Sequence, residues 1–132
     1  MTKKESIDSK QFAIEAARIA IELNSADVMV IDLRGISPAT DFFVIATGTS
    51  NRQARTVVDD ISEFAKEHGY LRFGLAGHEL GQWILADFVD VVVHVFDEEH
   101  RNYYELETLW GDAERLELPE FEKPHKPHEQ LE

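Results

Sequence analysis

The stretch Thr47-Gly48-Thr49-Ser50-Asn51-Arg52 has the residue types that cradle an anion: it is small and hydroxyl-rich, and it opens a helix with Arg52 and Arg55 in the first turns. Free backbone N–H groups at such a helix start attract phosphate. The same residues also cap helices and turn chains where nothing binds. The stretch lacks the further glycines of a dinucleotide fingerprint and the Gly-Lys of a P-loop. A second constellation, Ser50 with His94 and Asp87 or Asp90, has the chemistry of a hydrolase, yet no Gly-x-Ser-x-Gly elbow presents Ser50. A third, His125 with His128, would face one way on a helix and hold a metal, but Pro124 and Pro127 argue against that helix. No catalytic residue, metal ligand or cofactor is assigned from these groups.

A strand that ends in a Gly-Ser-like turn before a helix resembles the nucleotidyltransferase fold, in which the next strand carries two carboxylates that hold magnesium. Here Tyr70 to Gly77 contains no Asp or Glu, and Asp87 and Asp90 stand three apart across a bend. Without a paired-carboxylate clamp, transferase chemistry is rejected.

The element around which the rest is organised is Asp90-Val-Val-Val-His-Val-Phe96, which reads as a central strand. Its β-branched residues suit an extended backbone, and apolar side chains on both faces require cover on both. His94 shares a face with Val92 and Phe96, and a core histidine with a hydrogen-bonded ring is the simpler reading of it. Before it, apolar residues at helical spacing mark a helix over Lys10 to Asn24, capped by Asp8 or Ser9. Asp27 to Leu33 and Asp41 to Thr47 are strands whose short link predicts an antiparallel pair. A second helix, capped by Thr49, Ser50 or Asn51, stops at His68-Gly69. Tyr70 to Gly77 is a weaker strand, and Gln82 to Phe88 is a firm one that reaches the central strand through a bend at Val89. Helical spacing returns over Glu98 to Trp110. The order α-β-β-α-β-β-β-α predicts an α/β fold, a mixed β-sheet flanked by helices.

The chain of 132 residues suits one domain, 1–118, followed by a Pro-rich, charged tail, 119–132, that cannot build a core and is expected to be disordered. It has no cysteine, no apolar run of membrane-spanning length and no signal-peptide pattern in Met1 to Lys10, so a soluble cytoplasmic protein is expected. The net charge is −13, and Asp97 to Glu132 alone holds 12 acidic and 4 basic residues. An acidic chain is repelled by phosphate backbones, so direct nucleic-acid readout is disfavoured and a basic protein partner is favoured. On the strand before the bend, Trp83, Leu85 and Asp87 fall on one face and Ile84, Ala86 and Phe88 on the other. Both faces need cover, and one is a candidate for cover by a partner.

The strings Val30-Ile-Asp-Leu-Arg-Gly35, Asp41-Phe-Phe-Val-Ile-Ala-Thr-Gly-Thr-Ser-Asn-Arg-Gln53, Trp83, Asp87, Asp90-Val-Val-Val-His-Val-Phe96 and Tyr104-x-Leu-Glu-x-Leu-Trp110 occur together in this order. Through them the chain resembles the ribosomal silencing factor family, also called Iojap-like proteins. The resemblance implies a nucleotidyltransferase-like fold without transferase activity. It also implies binding to the large ribosomal subunit through ribosomal protein fourteen, a basic protein at the subunit-joining face, so that the small subunit is blocked and translation falls when nutrients are scarce. The family's contact region carries over onto Trp83, Leu85, Asp87 and Phe88; homodimerisation is left open. Where the family commonly reads Asp-aromatic-Gly-Asp, this chain has Asp87-Phe88-Val89-Asp90, a β-branched residue in place of glycine. The alternative reading is an enzyme that acts on a nucleotide through the Gly48 loop.

Overall fold

The computed structural model describes residues 6–104, 111 and 113–121. Helix α1, Ser9–Glu22, starts where the Asp8 carboxylate accepts the Gln11 N–H at 2.8 Å. It buries Phe12, Ala13, Ala16, Ala17 and Ala20, a mostly small face that lets its backbone lie close to the sheet. Helix α2, Asn51–Glu67, is capped by Ser50, whose hydroxyl accepts the Gln53 N–H at 2.9 Å, and it buries Ala54, Val57, Val58, Ile61 and Ala65. Both helix starts agree with the caps expected from sequence.

Strands β1 (Ala26–Asp32), β2 (Phe42–Thr47), β3 (Gly74–Ala76), β4 (Trp83–Asp87), β5 (Val91–Phe96) and β6 (Glu114–Arg115) form one mixed sheet in the order β3-β4-β5-β2-β1-β6. β1 and β2 are antiparallel, as their short link predicts, and β4 and β5 form an antiparallel hairpin. β2 and β5 are parallel and central, with Phe42 opposite Val91 and Thr47 opposite Phe96. This is the α/β architecture expected, with a sixth strand added. The strand expected over Tyr70 to Gly77 shrinks to Gly74–Ala76, because Tyr70 instead stacks on Phe12 at 4.5 Å and donates its hydroxyl to the Ile7 carbonyl at 2.8 Å. The two residues of β6 pair with Ile31 and Asp32 of β1.

Period-2 alternation divides the sheet between two apolar clusters. Val30, Phe42, Val44, Ala46, Ile84, Ala86, Val91, Val93 and Val95 face α1 and α2 and make the main core. On the opposite face Ile31, Leu33, Ile45 and Phe96 are buried, and Met29, Phe43, Trp83 and Ala113 pack beside them only partly covered. Helix α3, Glu98–Tyr104, follows β5. Its Arg101, 6 % exposed, donates to Thr47 Oγ1 at 2.8 Å and to the Asp27 carbonyl at 2.9 Å. Asp27 lies in an irregularity of β1 with φ +47°, which helps to aim that carbonyl at the guanidinium. Helix three was expected to reach Trp110, and residues 105–110 lie outside the described residues. So do 122–132, including His125 and His128; before them, Leu116 and Leu118 still pack against the main core.

Candidate functional site

The sheet face without α1 and α2 carries an open cavity of about 680 Å³. Phe43 of β2, Leu85 of β4, and Val92 and His94 of β5 line it from the sheet. Neighbouring strands bring these four side chains together because each occupies the same face of its strand: Phe43 pairs with Val92, and Leu85 with His94. Thr40 and Asp87 also line the cavity, and the apolar side chains of Phe73 and Val89 extend it outward at 80 % and 50 % exposure. The lining is largely hydrocarbon with a few polar groups, the composition of a recognition surface.

Trp83 stands beside the cavity, half-buried, with its ring stacked on Phe96 at 5.0 Å. Its indole Nε1–H donates to Nδ1 of His94 at 3.2 Å. An indole N–H only donates, so Nδ1 of His94 is the bare, accepting nitrogen and in the neutral ring the proton sits on Nε2. His94 is 4 % exposed, meets Phe43 edge-on at 4.7 Å, and has no charged partner among the described residues. Burial pushes its imidazole from the ordinary 6.5 down to about 4. The histidine is therefore neutral at pH 7 and is the hydrogen-bonded core residue expected from sequence, although only one of its two nitrogens is paired among the described residues.

The residues predicted to bind a partner divide. Leu85 and Asp87 line the cavity, and Trp83 supports it through His94. Phe88 does not join them. It is 2 % exposed and packs edge-on against Phe12 at 5.2 Å, within the helix-covered core. The residue after it takes an outward position: a hydrogen bond from the Asp90 N–H to the Phe88 carbonyl at 2.9 Å closes a tight turn centred on Val89, whose φ is +73°. This is the γ-turn geometry that glycine adopts freely and a β-branched residue only with strain. The Asp87 carboxylate steadies it by accepting the Val89 N–H at 2.8 Å. Phe73, Val89 and Thr40 were missed in the sequence because they come from loops with no periodicity; their neighbourhood exists only in three dimensions.

At the Gly48 loop three backbone donors are engaged within the fold. Gly48 N–H donates to the Phe96 carbonyl at 2.7 Å, Thr49 N–H to Gln53 Oε1 at 3.1 Å, and Gln53 N–H to Ser50 Oγ at 2.9 Å. A Cβ on Gly48 would stand 3.0 Å from the Ala54 Cβ, so the glycine serves close packing of strand and helix. No hydrogen bond among the described residues links Ser50, His94, Asp87 and Asp90 as a catalytic set would require. Among the described residues no three His, Asp or Glu side chains gather where a metal ion could sit.

Comparison with known proteins gives the arrangement a context. The family described as "Ribosomal silencing factor during starvation" matches residues 6–132. The chain is 40 % identical over 111 residues to the ribosomal silencing factor RsfS of Halalkalibacterium halodurans, covering 83 % of this chain and 95 % of that one. It is 38 % identical over 103 residues to that of Bacillus subtilis, covering 78 % and 87 %. A solved structure from Chromobacterium violaceum superposes with a TM-score of 0.76 at 31 % identity, covering 87 % of this chain and 92 % of the other. No helix among the described residues is long and apolar enough to cross a membrane. The chain belongs to the ribosomal silencing factor family.

Proposed function

We propose that the chain binds the large ribosomal subunit through ribosomal protein fourteen and thereby blocks association with the small subunit, lowering translation when nutrients are scarce. The observation that carries this reading is the apolar cavity on the sheet face that α1 and α2 leave open, rimmed by the exposed Phe73 and Val89 and by the Asp87 carboxylate. A net charge of −13 favours a basic protein over rRNA as the surface gripped. In this reading the binding unit is residues 1–118, with 119–132 as an appended tail, and the protein acts in the cytoplasm without catalysing a reaction. The engagement of the Gly48 and Thr49 N–H groups within the fold supports binding over nucleotide turnover.

The test is a sedimentation assay in which small subunits are added to large subunits with and without the protein. Leu85→Arg places a charge in the cavity and is expected to weaken large-subunit binding by about thirtyfold or more with the fold intact. Asp87→Asn keeps the bond to the Val89 N–H while removing the charge, so it slows association and flattens its salt dependence. Trp83→Ala is the less clean probe, since it removes both the Phe96 stack and the His94 bond and destabilises the fold as well. If Leu85→Arg and Asp87→Asn both bind as the parent does, the contact lies elsewhere. Homodimerisation through the same face would compete with subunit binding, and sedimentation of the free chain at rising concentration measures it.

A further inference from the structure

Two buried side-chain polar atoms lack a hydrogen-bond partner among the described residues, the hydroxyl of Thr40 and Nε2 of His94. Both residues line the same cavity. Buried polar groups are ordinarily paired, because leaving one dry forfeits its hydration without return. Both atoms are closed to solvent in the free chain, and side-chain shifts on binding are common, so a shift of the cavity lining that opens them lets an incoming group complete the bonding.

The chemistry of that group follows from the tautomer. Trp83 holds the proton off Nδ1, so the free nitrogen, Nε2, carries N–H and can only donate. Trp83 does not line the cavity whereas His94 does, so the ring turns its Nδ1 side to the indole and its Nε2 side away from it. The Thr40 hydroxyl can donate or accept. We propose that the cavity receives a polar group of the docking protein, a main-chain peptide or side-chain amide, whose oxygen accepts the His94 Nε2–H while the Thr40 hydroxyl bonds the same segment. The occupant is a protein segment because the apolar rim of Phe73 and Val89 extends the surface beyond what a small molecule covers, and the chain's charge selects a basic partner. His94 is then a positioning and specificity group: a partner segment with hydrocarbon at that point leaves the donor unpaired and is rejected.

This inference rests on the proposed docking face, and the experiment separates the two. On the free, full chain, ¹⁵N spectra of the histidine side chains at pH 7 are expected to show His94 protonated at Nε2 and bare at Nδ1; the opposite tautomer overturns the proposal. Large-subunit binding is then measured for His94→Phe, His94→Gln and Leu85→Arg, with thermal melts of each. His94→Phe keeps a ring against Phe43 but removes the donor, and is expected to weaken binding by about tenfold or more, while His94→Gln, which restores an N–H donor, recovers part of it. If His94→Phe folds and binds as the parent does while Leu85→Arg does not, the face is right and the polar anchor is refuted. If neither variant affects binding, the docking reading itself has failed. Should His94→Phe not fold, Thr40→Val serves in its place, with a loss of binding supporting the proposal and parent-like binding overturning it.

Discussion

Acidification should weaken the fold through His94 by an amount that follows from its burial. The imidazole titrates near 6.5 in the unfolded chain and at about 4 in the folded one, because the interior disfavours its charged form. Between those values the unfolded chain binds the proton and the folded chain does not, so stability falls as pH falls. The contribution is complete above about pH 7, is lost between about 6.5 and 4, and levels off below that. A difference of about 2.5 pKa units corresponds to about 3 kcal/mol in all, of which about 2 kcal/mol is gone by pH 5. The perturbation that isolates it is His94→Gln, whose amide carbonyl takes over the Trp83 indole N–H and does not titrate. The 26 carboxylates are common to both proteins, so their contribution cancels in the comparison. Urea unfolding followed by circular dichroism from pH 8 to pH 4.5 gives both curves. The stability of the parent minus that of the variant should drop by about 2 kcal/mol from pH 8 to pH 5. Parallel curves would mean that His94 is solvated or paired in the folded chain, and would refute the reasoning.

Val89→Gly should stabilise the fold by about 1 kcal/mol in the same assay: relief of about 2 to 3 kcal/mol of left-handed strain exceeds the extra entropy of glycine and the loss of a half-exposed side chain. A loss of stability would show that the turn does not strain valine. Arg101→Met should cost about 2 to 3 kcal/mol, since it removes two charge-assisted bonds and strands the buried Thr47 hydroxyl and the Asp27 carbonyl; a change below about 0.5 kcal/mol would show that α3 is held by other contacts. Removing residues 122–132 should leave the melting temperature unchanged to within about 2 °C, and a drop of several degrees in a thermal scan would show that the tail packs on the domain.

The central strands were legible because pattern and propensity agree there: the valines of β5 suit both a pleated backbone and a sheet covered on both faces. The start of α2 was legible to within a residue because Thr49, Ser50 and Asn51 are all good caps placed before an apolar helical face, and Ser50 is the one used. β6 was not legible, since Glu114 and Arg115 have no strand propensity and owe their conformation to pairing with β1. Phe88 is the more instructive case. Alternation along β4 already set it with Ile84 and Ala86, opposite Trp83, Leu85 and Asp87, so the pattern held the information that the family resemblance overrode. The left-handed Val89 could not be foreseen, because nothing in a valine announces positive φ, and only the glycine common in the family at that position hinted at it. Thr40 and the unpaired nitrogen of His94 became visible only once neighbouring strands set them around one cavity.

The short β6 has a consequence for the sheet's boundary. An open sheet has two rims, each a row of unpaired amides and carbonyls that can template growth from one molecule to the next. On one side the rim is β3, three residues long and carrying glycine at Gly74 and just beyond it at Gly77, too short to guide an incoming chain. On the other side β1 would present seven residues, among them the apolar Val28, Met29, Val30 and Ile31. Glu114, Arg115 and the Leu116 N–H, which bonds the Val30 carbonyl at 2.9 Å, occupy this rim where its side chains are most deeply buried. Two exposed residues of opposite charge thus act as a stopper on this apolar rim. A chain cut before Ala113 would uncover it and become a substrate for rim-to-rim stacking.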